Sequence, residues 1–100
     1  VEVKKMLGGR PYVCPIDIPA YKAAEKACEM VFGKKPIPLR SGGSIPIISI
    51  FEEKLGLKSI LMGFGLESDA IHSPNENFPI ENLLNGIRTS VAFFKNFSEI

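Results

Sequence analysis

The residues best suited to bind a ligand form a glycine-rich segment, Arg40-Ser41-Gly42-Gly43-Ser44, that leads into a predicted helix. Glycine lets the backbone approach a ligand closely, and the first turn of a helix offers unpaired N–H groups at the positive end of its dipole. The Arg40 guanidinium or the Ser44 hydroxyl could complete a carboxylate or phosphate site. The same residues also fit a plain turn in which Ser44 caps the helix, so both interpretations stay open.

The second candidate is the single histidine, His72, within the polar segment 69–76. Neutral imidazole is the commonest metal ligand in proteins, but a catalytic zinc takes about three protein ligands. The cysteines and carboxylates of the chain show no recognised metal spacing, so we expect no complete metal site within it. The alternative is a loop histidine held by Asp69 or by the backbone, with Ser73, Asn75 and Asn77 in turn and capping roles.

No other group of residues supports catalysis. A single histidine without a recognisable serine or cysteine elbow does not make a nucleophilic triad. Glu52 and Glu53 are expected to be solvated charges on a helix. Cys14 and Cys28 lack a CxxC or metal spacing and are predicted to be free thiols. We therefore predict no catalytic residue in this chain.

The composition describes one small globular domain. With 100 residues, 45% of them hydrophobic, the chain has room for a single core. A formal net charge of +1 gives no field to hold a phosphate backbone, so we expect no nucleic-acid partner. The sequence has no apolar run of membrane-spanning length and no signal-peptide pattern, which predicts a soluble, cytoplasmic protein with no membrane contact. Since the sequence opens on Val1 rather than Met, we also consider an excised piece of a longer protein.

Hydrophobic periodicity and turn residues predict alternating strands and helices. The predicted helices cover 20–32, 45–55 and 79–97; the predicted strands cover 1–7, 36–40 and 58–63; a proline-rich linker covers 10–19. This order is typical of an α/β fold with a parallel sheet and right-handed crossovers. The loops 41–44 and 64–77 each follow a predicted strand, so both candidate sites are expected at one sheet edge, where open α/β sheets bind ligands.

Two helices have predicted core faces. On the first helix, the face consists of Ala20, Ala24, Ala27, Cys28 and Val31. On the last helix, it consists of Ile80, Leu84, Ile87, Val91 and Phe94, which alternate four and three residues apart.

Three motifs, taken in order, resemble the C-terminal part of metallopeptidase family twenty. They are Pro-Leu-Arg-Ser-Gly-Gly-Ser-Ile-Pro at 38–46, Gly-Phe-Gly at 63–65 and His-Ser-Pro-Asn-Glu at 72–76. The family includes carnosinase-like dipeptidases, aminoacylases, glutamate carboxypeptidase and acetylornithine deacylases. The Gly-Gly-Ser-Ile-Pro form is most similar to the dipeptidase branch. The resemblance extends from about residue 11 to residue 97.

The resemblance implies the C-terminal fragment of a three-layer α/β/α zinc-peptidase catalytic domain. Residues 1–15 would be the last strand of the lid domain, which often dimerises in the family, and the return linker. Residues 16–100 would belong to the catalytic domain. The complete enzyme would carry two zinc ions, with manganese or cobalt as alternatives, and would act on a peptide or an N-acyl amino acid.

The resemblance also implies roles for individual residues. His72 would ligate one zinc ion, and Ser44, with the backbone of Gly42 and Gly43, would grip a substrate carboxylate. Arg40 stays a substrate-binding candidate through its charge. The other metal ligands and the general base would lie upstream of this chain.

Two hypotheses follow for the function. The first is a fragment of a dizinc dipeptidase or related amidohydrolase, a metallopeptidase when complete but inactive as this fragment alone. Its uncovered apolar surface, around Ile37, Ile60, Leu61 and Met62, predicts self-association. The alternative is a self-sufficient small binding or interaction module with no catalytic role.

Overall fold

The computed structural model describes residues 1–5, 8–41 and 45–100. The helices there are α1 (Pro19–Phe32), α2 (Pro46–Leu55) and α3 (Ile80–Ser98), with a short 3₁₀ turn at Glu67–Asp69. Helices α1 and α3 pack against each other, and the segments between the helices are irregular. All three helices therefore begin and end within a residue of the sequence prediction.

Proline and glycine fix the ends of the helices. Pro19 occupies the first turn of α1 and Pro46 that of α2, where a missing N–H costs no hydrogen bond. Gly33 and Gly56 follow the two helices with φ of 75° and 64°, a conformation that L side chains rarely adopt. Ile45 holds the N-cap position of α2, whereas the predicted cap, Ser44, lies outside the described residues.

The predicted strands are not observed. The segments 1–5, 36–40 and 58–63 form no strand, so the part of the chain described by the structure holds α-helices without a sheet. A β-strand requires backbone hydrogen bonds to a neighbour, and these segments lack one among the described residues. The three-layer α/β fold is therefore not confirmed for this chain.

A tyrosine side chain takes the place of a strand neighbour at one position. The Tyr12 hydroxyl accepts a hydrogen bond from the Ser59 N–H at 2.9 Å and donates one to the Ser59 carbonyl at 2.7 Å. This pair attaches the proline-rich segment to the segment 58–63. Sequence reasoning missed the contact, because 47 residues separate its two partners.

Small side chains form the contact between α1 and α3. Ala27 and Thr89 are completely buried. The Thr89 hydroxyl donates to the Asn85 carbonyl at 2.7 Å within its own helix, and the Asn96 amide donates to the Ala23 carbonyl of α1 at 3.2 Å. The described core is consequently a close helix–helix contact with few large apolar side chains.

The aromatic ring of Phe64 packs beside this contact. A Cβ on Gly86 would lie 3.1 Å from Phe64 Cδ2, so the absence of a side chain at Gly86 lets the ring lie against α3. The ring also stacks on Phe32, with centroids 6.0 Å apart. The Gly-Phe-Gly motif at 63–65 is thereby anchored to α1 and α3.

The two predicted core faces have different outcomes. On α1, Ala24 and Ala27 are buried as predicted. On α3, the prediction was wrong for this chain: the exposed fractions of Ile80, Val91 and Phe94 are 75%, 65% and 68%. The polar and small residues of α3 allow closer approach to α1, so the large apolar side chains lie on the opposite side, exposed.

Candidate metal and substrate site

The His72 motif lies in a loop that starts with a tight turn. The Leu66 N–H donates to Asp69 Oδ2 at 2.9 Å, and the Asp69 N–H donates to the Leu66 carbonyl at 3.0 Å. A carboxylate that accepts a backbone N–H three residues earlier fixes the local chain direction. The turn therefore sets the direction in which the chain enters the His72 loop.

The other end of the loop returns to the same aspartate. The Asn77 N–H donates to the Asp69 carbonyl at 2.9 Å. The Asn77 side-chain amide lies within hydrogen-bond distance of the carbonyls of Ser68 at 3.2 Å, Asn75 at 3.1 Å and Asp69 at 3.5 Å. Asp69 and Asn77 thus close a neck, and the seven residues between them, with His72 near the middle, form the loop.

Three residues inside this loop have a left-handed backbone. Ala70, His72 and Asn75 have φ of 54°, 60° and 64°. Histidine and asparagine adopt this region more readily than most residues, whereas alanine gains nothing from it. Such positions cost about 1–3 kcal/mol each and persist where the surrounding structure determines them.

The His72 side chain is exposed, and no hydrogen bond or ion pair within the described ranges engages its ring. Asp69 does not hold the ring, because its Oδ2 accepts the Leu66 N–H. Its Oδ1 is buried and has no partner in the described part of the chain. The ring nitrogens of His72 are therefore available to a ligand.

A metal site needs more than this imidazole. Residues 1–5, 8–41 and 45–100 contain no group of three His, Cys, Asp or Glu side chains that could hold a metal ion. His72 fits the role of a single ligand, because its ring is exposed and unengaged. The other ligands of a catalytic site would have to come from elsewhere.

The predicted substrate loop is described at one end. Arg40 is exposed, and no ion pair or hydrogen bond of the described residues joins it to His72. Gly42, Gly43 and Ser44 lie outside the described residues. The carboxylate-binding role of this loop stays a prediction.

The two cysteines are free thiols and lie in and beside α1. Burial raises the pKa of the Cys28 thiol. Burial, together with the nearby Glu25 carboxylate, also raises the pKa of Tyr21. Since both shifts favour the neutral form, Cys28 and Tyr21 provide no activated nucleophile at neutral pH.

Several dipeptidases have sequences similar to this chain. The sequence pattern of peptidase family M20/M25/M40 matches residues 1–96. The Homo sapiens Beta-Ala-His dipeptidase is 34% identical over 98 residues, which are 98% of this chain and 19% of that protein. The Saccharomyces cerevisiae Cys-Gly metallodipeptidase is 38% identical over 79 residues, 79% of this chain and 16% of that protein.

A solved structure agrees with these relatives. The Saccharomyces cerevisiae di-peptidase Dug1p superimposes with a TM-score of 0.87 at 35% sequence identity, covering 92% of this chain and 19% of that one. The chain therefore spans about a fifth of the length of these relatives. No helix in the described ranges is long and apolar enough to cross a membrane. Motifs, sequence pattern and superposition agree: the chain belongs to peptidase family M20/M25/M40.

Proposed function

We propose that these residues act as the C-terminal part of a longer metallodipeptidase that hydrolyses peptide or N-acyl bonds, and that the chain alone is inactive. The main support is the 98% coverage of this chain against 19% of the human Beta-Ala-His dipeptidase. The exposed apolar face of α3 also supports a larger fold, because such a face is stable when other elements cover it.

In the longer protein, residues 16–100 complete a three-layer α/β/α catalytic domain. The segments 36–40 and 58–63 then pair with neighbouring strands, which would satisfy their backbone groups. Residues 1–15 form the end of the lid domain and the return linker, and the lid forms the homodimer. The free cysteines fit a reducing compartment, so we place the longer protein in the cytoplasm.

His72 is the residue of this chain that would ligate a metal. Two zinc ions, with manganese or cobalt as alternatives, would supply an activated water for hydrolysis. His72 offers an exposed ring from a closed loop. The remaining ligands and the general base come from other parts of the longer protein.

The glycine-rich loop would bind the substrate. The Ser44 hydroxyl and the N–H groups of Gly42 and Gly43 donate to a substrate carboxylate, and Arg40 attracts that negative charge. These contacts orient the scissile bond without moving a proton. Specificity for a peptide over an N-acyl amino acid would be decided elsewhere.

The test uses the complete reading frame that encodes these residues. We expect the purified protein to bind zinc and hydrolyse a dipeptide such as Cys-Gly or β-Ala-His. His72→Ala should lose one metal ion and nearly all turnover. Glu53→Gln, a charge-neutralising change at an exposed position of α2, is the matched control and should keep both.

Two results would contradict the proposal. One is full activity and full metal content in His72→Ala. The other is a reading frame that encodes no segment beyond these 100 residues, together with a purified chain that is monomeric and binds no zinc. The second result would favour the self-sufficient binding module.

A further inference from the structure

We propose that Asp69 and Asn77 form a brace that positions His72 before any metal is bound. The inference rests on the proposed function, because it takes His72 as a metal ligand. Asp69 and Asn77 touch neither metal nor substrate in this scheme. They are positioning residues that act through the backbone of the loop between them.

The first argument is the way the loop is closed. Asp69 provides two different acceptors: its Oδ2 takes the Leu66 N–H at 2.9 Å, and its carbonyl takes the Asn77 N–H at 2.9 Å. The hydrogen bond to Oδ2 fixes the turn at the start of the loop. The hydrogen bond to the carbonyl fixes Asn77 at its end. One aspartate thus ties both ends of the loop that carries His72.

The second argument concerns the asparagine side chain. The Asn77 amide nitrogen lies 3.2 Å from the Ser68 carbonyl and 3.1 Å from the Asn75 carbonyl. It therefore links the turn before the loop to the last residues inside it. Because Asn77 itself is exposed, this contact is made at the surface and contributes little burial.

The third argument is the backbone conformation that the brace holds. Ala70, His72 and Asn75 are all left-handed, and Ala70 has no side-chain hydrogen bond to favour it. An unrestrained loop would leave this conformation. The direction of the His72 ring then depends on the neck formed by Asp69 and Asn77. If the neck were released, metal binding would have to restore the conformation of the loop, and the metal affinity would fall.

The state of the Asp69 side chain agrees with this role. It is 4% exposed, and Oδ1 has no partner among the described residues. A buried carboxylate oxygen without a partner is unfavourable for folding. Its presence is explained by the contacts that the rest of the residue makes to the loop.

The experiment measures zinc affinity and loop opening separately, in the complete protein that contains this chain. The variants are Asp69→Ala, Asp69→Asn, Asn77→Ala and His72→Ala. Glu67→Gln is the control, because it removes a negative charge from an exposed side chain of the same 3₁₀ turn. Zn²⁺ affinity is measured by competition with a chelator, and hydrogen exchange of residues 66–77 is measured in the metal-free protein.

We expect Asn77→Ala and Asp69→Ala to weaken Zn²⁺ binding about tenfold or more, as loss of a residue that orients a metal ligand typically does. Both should speed exchange of the Leu66 to Asn77 amides without metal. Asp69→Asn keeps an oxygen that can accept the Leu66 N–H, so it should recover most of the affinity. Asn77→Ala changes an exposed side chain, so the test stands even if Asp69→Ala fails to fold.

Several outcomes would overturn the inference. One is that Asp69→Ala and Asn77→Ala bind Zn²⁺ as tightly as Glu67→Gln does, even if their melting temperatures are lower. Asp69 and Asn77 would then contribute to stability alone. Another is an equal loss of Zn²⁺ affinity in Asp69→Asn and Asp69→Ala. If His72→Ala also binds Zn²⁺ normally, both the proposed function and the brace are contradicted. If Asp69→Ala and Asn77→Ala bind Zn²⁺ normally while His72→Ala does not, only the brace is contradicted.

Discussion

At the level of single residues, His72 is exposed in a loop whose two ends are tied together by Asp69 and Asn77. The His-Ser-Pro-Asn-Glu motif predicts that His72 is a metal ligand, and its side chain is exposed and unengaged by the described residues. The alternative interpretation of the sequence had Asp69 or the backbone hold the ring. In the structure the Oδ2 of Asp69 accepts the Leu66 N–H instead.

Ser44→Ala tests the predicted grip on the substrate carboxylate. If the hydroxyl donates to the substrate in both the ground and the transition state, the substitution should raise KM about tenfold and leave kcat unchanged. Steady-state kinetics of the complete enzyme measures both, and Ser98→Ala, at the far end of α3, is the control. Unchanged kinetics with a lower melting temperature would assign Ser44 a structural role only.

The reactivity of the Cys28 thiol should depend on pH in a way that its burial determines. Because burial raises the pKa of its thiol, the thiolate forms at higher pH in the folded chain than in the unfolded one. Alkylation by iodoacetamide, followed by mass spectrometry of the Cys28 peptide, should therefore rise at a higher pH in native protein than in urea.

The sign for stability follows from the same shift. The contribution of Cys28 is complete below the pKa of the unfolded thiol and is lost as the pH rises through the raised pKa of the folded thiol. Identical alkylation profiles in native and unfolded protein would show that the thiol is not desolvated.

At the level of elements, the sequence predicts the helices well because their signals are local. Pro19 and Pro46 mark the starts, and Gly33 and Gly56 mark the ends. The strands depend on distant neighbours, so their apolar runs predict burial but not pairing. The predicted core face of α3 was wrong for the same reason. Periodicity shows which side of a helix is apolar, but not which neighbour is present to cover it.

Ala27→Leu tests the close contact of α1 and α3. Ala27 is completely buried, so a larger side chain must push the helices apart, and we expect a loss of about 1–3 kcal/mol in the free energy of unfolding. Urea unfolding of the protein measures it. Lys26→Leu adds the same side chain at an exposed neighbour and should change little. Equal effects at both positions would contradict the observed packing.

At the level of the whole molecule, the described chain is extended and thinly packed. Its radius of gyration is 16.1 Å, against about 13 Å for a compact domain of 100 residues. The fully apolar part of its core consists of three alanines, while large side chains such as Ile37, Leu61 and Phe94 are half or more exposed. Composition predicted a single core but could not show that most of the apolar surface would stay uncovered.

This surface predicts that the isolated chain self-associates. The apolar stripe of α3, with Ile87 and Val91 near its centre, is exposed over several turns, and its burial against a second copy would remove apolar area from water. We expect concentration-dependent association in sedimentation velocity, and a marked reduction in the double variant Ile87→Lys, Val91→Glu.

The matched control places the same two charges on α3 without touching the stripe. Glu81→Lys with Lys95→Glu also leaves the net charge unchanged, and both side chains are exposed, so it should associate like the original chain. Association that persists equally in both double variants would mean that another surface mediates it. A chain that stays monomeric at high concentration and unfolds cooperatively would contradict the fragment interpretation itself. A self-sufficient domain must bury its large apolar side chains within its own 100 residues.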